Sequence, residues 1–422
     1  MNKSKPKLPA RAAVCIALGL VSGSCMADAA IVPDACVGAR YQLNIRPKDK
    51  VLMLDLDGQP IPLLSRSKTT QAYPDPGDSL AAPCLGGHLG PSDVGVVVNQ
   101  DDPYSVAVGD YYVQRRGILP ANVLKVSIPF KPELTPEEFA TLSGQIETFF
   151  GGRVQALALV WQQPFAVAVA GDVLNGVHFN CNNSITAAVT LGYSTDISCL
   201  AAGKYPSRDL TTPYYLSASS RPYQDFKMRL SMLLAANNVD EAKALIERGI
   251  QADKSLGRAT SVRAMAHFLD TSDQARGLRR YYFPPQGTDE SANFKTVVDK
   301  ADSLVYESRV LVYMAGTFRV ENLGTVSFLP GALADHLTSY GGILYNTPDS
   351  QMNALSWIGA GATASYGSTS EPYAYLEKFP DPRALLPVYA QGATAIEAYW
   401  KSVAWPQQGL FVGEPLAAPF AR

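Results

Sequence analysis

Short apolar runs and amphipathic stretches alternate along most of this chain. Val94-Gly95-Val96-Val97-Val98-Asn99 is apolar on successive positions, the pattern of a strand buried on both faces. Asp102-Pro103 then supplies an N-cap and a first-turn proline, and Gly117 stops the helix so begun near Arg116. Val123–Ile128 predicts a second strand. Thr135-Pro136-Glu137-Glu138 is a capping box opening a helix with Phe139, Leu142 and Ile146 on one face. Ala156–Trp161 predicts a third strand. Strand, helix, strand, helix, strand at this spacing predicts an α/β protein with a mostly parallel, doubly wound sheet and helices on both faces.

The rhythm breaks over residues 165–225, rich in Ser, Thr, Tyr and Asn, which read as an insertion. It resumes with a helix from Val239 to Arg248 ended by Gly249, a strand over Arg309–Met314, and another strand near Val326. An αβ pair over Met352–Ser365 and a helix over Thr394–Val403 follow. No internal repeat is visible. Residues 28–90 read as a loop-rich lead-in, with Tyr73-Pro74-Asp75-Pro76-Gly77-Asp78 and Gly86-Gly87-His88 as turn chemistry and Val51–Leu54 as its one strand. The α/β domain is expected to span 91–422.

The amino terminus changes the setting. Lys3, Lys5, Lys7 and Arg11 precede a ten-residue apolar run, Ala12–Val21, and the small residues up to Ala27. That order is a secretory signal peptide with cleavage near Ala27, half the length a spanning helix needs. The lipoprotein alternative at Cys25 is disfavoured because Ser22 stands where such signals carry Leu. The expected product is secreted or periplasmic, with no membrane span. Of 36 basic residues four leave with the signal, so 32 face 38 acids, and no basic cluster remains for nucleic acid. Cys36, Cys84, Cys181 and Cys199 also remain, an even count that reads as two disulfides in an oxidising compartment. Pairing of nearest neighbours, Cys36 with Cys84 and Cys181 with Cys199, is the simplest of three connectivities.

Several short motifs together resemble an uncharacterised family of exported bacterial proteins. They are Val96-Val97-Val98-Asn99, Tyr111-Tyr112 with Arg115-Arg116-Gly117-Ile118, and Gly361-Ala362-Thr363-Ala364-Ser365-Tyr366-Gly367 leading to Glu371-Pro372. Gly392 with Glu397-Ala398-Tyr399, and Gly413-Glu414-Pro415-Leu416, complete the set. That resemblance implies no activity. More distantly, the order of elements is similar to the gingipain-like cysteine peptidases, implying a caspase-like three-layer arrangement. Met228-Arg229-Leu230 stands where they carry Gly-Arg, Ala315-Gly316-Thr317 where they carry Gly-His-Gly, and Ala334–Ser339 where the nucleophilic Cys belongs. This chain has no histidine in Ala315-Gly316-Thr317 and no cysteine after Cys199. Thiolate attack needs sulfur beside a base, so the resemblance implies a fold without its peptidase dyad.

Other chemistry is thin. Ser339 with His336 is the sharpest catalytic candidate, a hydroxyl with a base nearby, and Asp335 adjoins them. Backbone bonding and packing explain the same residues. Thr363-Ala364-Ser365-Tyr366-Gly367 resembles a nucleophile elbow, but no histidine follows His336 to complete the α/β-hydrolase order. His178 with Cys181 reads better as half of a disulfide than as a thiol and its base. Leu54-Asp55-Leu56-Asp57-Gly58 matches the opening motif of haloacid-dehalogenase-like phosphohydrolases, which would use Asp55 with magnesium, yet a strand and an Asp-Gly turn suffice. His88, His178, His267 and His336 are too scattered for a zinc site, and no cofactor is implied. A binding site is expected at strand C-termini, at Asn99 and Asp101, with Gly316, Thr317 and Glu371 facing them. The expected role is recognition of a protein, peptide or glycan, with a hydrolase using Ser339 and His336 as the alternative.

Overall fold

The computed structural model describes residues 53–54, 60–61, 82–169, 172–174, 177–179, 182–195, 210–257, 260–371 and 374–422. Residues 1–27, the expected signal peptide, together with Asp55, Cys36, Cys181 and Cys199, lie outside these residues, as does all of His178 but its backbone.

Eleven strands form one sheet. In chain order they are β1 (Val94–Asn99), β2 (Val123–Val126), β3 (Ala156–Val160), β4 (Leu230–Leu233), β5 (Ala264–Leu269), β6 (Gly287–Asp289), β7 (Phe294–Asp299), β8 (Val310–Gly316), β9 (Phe328–Leu337), β10 (Ala364–Ser368) and β11 (Gly409–Gly413). The helices are α1 (Pro103–Arg116), α2 (Pro136–Phe150), α3 (Ile185–Leu191), α4 (Pro222–Phe226), α5 (Val239–Ala252), α6 (Ala354–Ala360), α7 (Pro382–Ala390) and α8 (Ala395–Ser402). The spatial strand order is 6-7-5-8-9-10-11-4-3-1-2. Every residue of β1, β3, β4, β8, β10 and β11 is buried, as it must be where helices cover both faces.

The sheet has two halves. Strands β2, β1, β3, β4 and β11 run parallel, and so do β7, β5, β8, β9 and β10. The halves meet antiparallel where Ala364 to Ser368 pair with Gly413 to Gly409. Each half has one layout: its first strand is flanked by the second on one side and the third on the other, with the fourth beyond. This repeat of topology has no counterpart in the residue pattern. Its consequence is directional. Strand C-termini of the first half open on one edge of the sheet, and those of the second half on the opposite edge.

Local signals explain most helix boundaries. The Asp102 side chain accepts the Tyr104 N–H, Pro103 begins α1, and Gly117 closes it at φ 66°. Thr135 and Glu138 form the expected reciprocal cap of α2, whose buried face is Phe139, Leu142, Ile146 and Phe150. Thr394 and Glu397 do the same for α8. Helix α5 does not stop at Gly249 but continues to Ala252. Gly249 lies inside the helix and is glycine for a different reason: a Cβ there would collide with the Glu414 carboxyl group. The strand expected near Val326 starts two residues later, and Val326 itself closes a short 3-10 turn.

The described part of residues 165–225 is only partly peripheral. Helix α3 packs under the centre of the sheet, where Ser231 Oγ donates to the Thr186 carbonyl and Ser184 Oγ to that of Gly409. The end of the lead-in is tied to the body: Leu85 N–H donates to Gln391 and Leu89 N–H to Glu397. Cys84 is disulfide-bonded, and every other cysteine lies outside the described residues. No helix among the described residues is long and apolar enough to cross a membrane.

Candidate functional site

In the second half, β8 and β9 end side by side, with Ala315 opposite His336 and Gly316 opposite Leu337. A segment from residue 271 to 282 folds over these ends. Thr271 Oγ1 donates to the Gly316 carbonyl. Arg279, 1% exposed, pairs with Asp335 and donates from Nη2 to the Ala315 carbonyl at 2.7 Å. Tyr399 Oη donates to the other Asp335 oxygen at 3.4 Å. Burial lifts the Asp335 carboxyl above its ordinary range even though Arg279 opposes the shift. Both partners of this pair are enclosed, so its value lies in fixing geometry rather than in net stability.

Gly316 has no room for a side chain. A Cβ at this position would overlap the Arg276 carbonyl oxygen and the Gly277 Cα. The backbone at 276–277 fills the space in which a side chain at the end of β8 would stand.

His336, on the neighbouring strand, is 1% exposed. Its Nδ1 accepts the Trp357 indole N–H at 3.0 Å, which places the ring proton on Nε2. Burial, helped by the Arg279 cation, lowers its pKa to about 3. The imidazole is therefore neutral, with its basic nitrogen engaged. Ser339 lies half-buried in the turn after β9, and no hydrogen bond joins it to His336. Thr338 Oγ1 donates to Gln351, and the Arg276 guanidinium reaches Thr338 at 3.3 Å. Ser365 stands inside β10, buried, and not on a strand-to-helix turn.

The residues expected to share one cleft are divided between the two edges. Asn99 ends β1 in the first half. Its side chain donates to the Ile128 carbonyl at 2.9 Å and receives the Ile128 and Asp101 N–H groups, joining β1 to the end of β2. Asp101 is exposed beside it. Gly316 ends β8, and Thr317 and Glu371 follow β8 and β10 of the second half, at the opposite edge. There Thr317 Oγ1 donates to the Arg319 carbonyl, and Glu371 helps push the Tyr340 phenol up. Antiparallel pairing of β10 with β11 separates the two sets.

The motif residues also find a place. Glu414 accepts Tyr112 Oη at 3.0 Å and Arg116 at 3.0 and 2.6 Å, and Gly249 lies against it. The Glu414 N–H donates to the Thr363 carbonyl, while Thr363 Oγ1 accepts the Gly331 N–H. Tyr-Arg-Arg, Ala-Thr-Ala-Ser and Gly-Glu-Pro thus meet in one buried knot that stitches α1, α5, β10 and β11. Sequence reasoning missed Arg279 and Trp357, since neither a basic doublet nor a helical tryptophan declares a partner.

No protein-family model matches the chain, and no curated protein matches it. Among solved structures, the Arg-specific cysteine proteinase gingipain R is similar over 78% of each chain, at 9% identity and a TM-score of 0.42. The complex of Porphyromonas gingivalis RgpB pro- and mature domains covers 77% of this chain and 79% of its own, at 10% identity and a TM-score of 0.37. A structure described as a protease covers 78% of each, at 10% identity and a TM-score of 0.40.

Proposed function

We propose that this chain is an exported binding protein on a peptidase-like α/β sheet, recognising a protein, peptide or glycan through loops at strand ends without cutting it. One observation carries the reading. Gly316, where gingipain-like enzymes would place their histidine, lies against backbone that leaves no volume for any side chain. The neutral, Trp357-bonded His336 supports it, because a base whose Nδ1 is engaged and whose Nε2 is protonated cannot accept a proton from Ser339. The signal-like residues 1–27 support export, and the even cysteine count supports disulfides from Cys36 to Cys84 and Cys181 to Cys199.

The test is hydrolysis. Residues 28–422 and a Ser339→Ala variant are incubated with denatured casein and a fluorogenic peptide library. Both are expected to match the protein-free blank. Turnover by the parent that disappears in Ser339→Ala would restore the hydrolase and end the binding reading.

A further inference from the structure

His267, in β5, is a buried imidazole flanked by two acids. Its side chain is 3% exposed. Nδ1 lies 2.9 Å from Asp299 Oδ2 at the end of β7, and because a carboxylate only accepts, this nitrogen carries a proton. Nε2 is buried and makes no hydrogen bond. Glu307 Oε2 stands 4.0 Å from it, just beyond hydrogen-bonding reach. Those two distances put one carboxylate at each ring nitrogen. In the neutral ring the Nε2 lone pair faces a second acceptor, and nothing binds Glu307. In the imidazolium Nε2 becomes a donor, and a closure of about 1 Å makes a charge-assisted bond of ordinary length.

Glu307 belongs to a crossing that parallel sheets usually make with a helix. Residues 300–309 leave the end of β7 and reach the start of β8; β5 lies between those strands, so the segment passes over β5. It contains no helix. Tyr306 and Arg309 stand at φ 58° and 57° on either side of Glu307, a region that non-glycine residues seldom adopt. The Glu307 carbonyl accepts the Ser327 N–H at 2.8 Å, and the Tyr306 N–H donates to Thr325 at 3.1 Å. These bonds aim the half-exposed carboxylate at β5. The same segment is tied to the cover over the strand ends. Asp302 accepts the Ser272 N–H at 2.6 Å and the Ser272 hydroxyl at 2.8 Å, and the Asp299 carbonyl accepts the Asp270 N–H at 2.8 Å. Ser272 adjoins Thr271, whose hydroxyl bonds to the Gly316 carbonyl at the head of segment 271–282.

We propose that His267 is a proton-operated latch: as an imidazolium it draws Asp299 and Glu307 together, fixes residues 300–309 on β5, and through Asp302 holds segment 271–282 closed over the ends of β8 and β9. Deprotonation leaves two acids with no cation between them and loosens both segments. Other groups around the ring do not supply that cation. From β7, Lys295 shares the face of Asp299 but is exposed, and it pairs with neither acid among the described residues. From β8, Tyr313 is the register partner of His267; its hydroxyl accepts the Leu304 N–H at 2.9 Å, and burial keeps the phenol neutral. From the cover, Arg280 is engaged by Asp270 and Arg279 by Asp335. A lone buried charge is costly, and a carboxylate at each nitrogen offsets that cost. Histidine changes charge between about pH 5 and 8, where ordinary carboxylates stay ionised. The latch is therefore closed on the acid side of that window and open on the basic side. This inference goes beyond the binding reading and stands whether or not the strand ends hold a ligand.

Amide hydrogen exchange read by mass spectrometry tests this on the chain spanning 28–422, at about pH 8 and about pH 5.5. Results are expressed as protection factors, so that the chemical pH dependence of exchange cancels. In the parent, residues 271–282 and 300–309 are expected to be about tenfold better protected at the lower pH, with α2 unchanged. His267→Gln keeps a donor for Asp299 but cannot take a charge, and should remove the difference in both segments. Glu307→Gln, at a half-exposed site, should reduce it to about twofold or less, and it decides the matter should His267→Gln fail to fold. Asp302→Ala should keep the response in 300–309 and lose it in 271–282. Asp335, whose carboxyl is also raised by burial, is untouched in these variants, so a response of its own would survive in His267→Gln. Equal protection at both pH values in the parent, or a response that persists in His267→Gln or Glu307→Gln, would overturn the latch. A response of 271–282 that persists in Asp302→Ala would overturn its link to the cover.

Discussion

Gly316 and His336 show how much a single position decides. At Gly316 the obstacle is backbone, which cannot rotate away as a side chain can. Gly316→Ala is therefore expected to cost about 2–3 kcal/mol, the upper part of the range for overpacked sites. Urea unfolding measures it, and a change under about 0.5 kcal/mol would show that residues 276–277 move aside freely. His336 makes a pH-dependent prediction. Its pKa is about 6.5 in an unfolded chain and about 3 when folded, so the unfolded state binds the extra proton between those values. The histidine's contribution to stability is then full above pH 6.5 and declines as pH falls toward 3, by up to about 1.4 kcal/mol per pH unit. His336→Gln keeps an acceptor for Trp357 and has nothing to titrate. Its urea midpoint should depend less on pH between 6.5 and 4 than the parent's; parallel curves would mean that the ring is hydrated.

At the scale of elements, the buried knot around Glu414 links helices to the seam of the sheet. Glu414 is fully buried and the Arg116 side chain is 6% exposed, so neither charge can recover water if the other is removed. Arg116→Met should cost about 3–5 kcal/mol, and Arg116→Met with Glu414→Gln less than the two single changes together. Additive losses in thermal or urea unfolding would mean that the two groups act independently. The residues of this knot were visible in the sequence as motifs, yet not as a knot. Tyr112, Arg116, Thr363 and Glu414 are brought together only by folding, and nothing local to each motif names the others. Elements with strong local chemistry were legible: α1 from Asp102, Pro103 and Gly117, and α2 from Thr135 and Glu138. Gly249 misled because a helix stop and a close approach both call for glycine.

For the whole molecule, the first half was readable because β1 and β3 are uninterrupted apolar runs joined by capped helices. The second half was harder. Strand β5, Ala-Met-Ala-His-Phe-Leu, is an apolar run interrupted by His267, which bonds to Asp299 at the end of β7, and β7 reads Phe-Lys-Thr-Val-Val-Asp, whose charged residues hide a core strand. The doubly wound class was correct, and the strands that end at Asn99 and Gly316 run toward opposite edges of that sheet. Relative direction of two sheet halves depends on one strand pair 41 positions apart in sequence, Ser368 with Gly409, and no periodicity encodes it.

The place of β11 also sets an order of events. This strand, residues 409–413, lies between β4 and β10 and leaves the ribosome after both of them. Until it arrives, β4 and β10 each present an unpaired edge, the kind that invites pairing between chains. A nascent chain of this protein stays divided until β11 has been made, and during that interval it depends on whatever shields those edges.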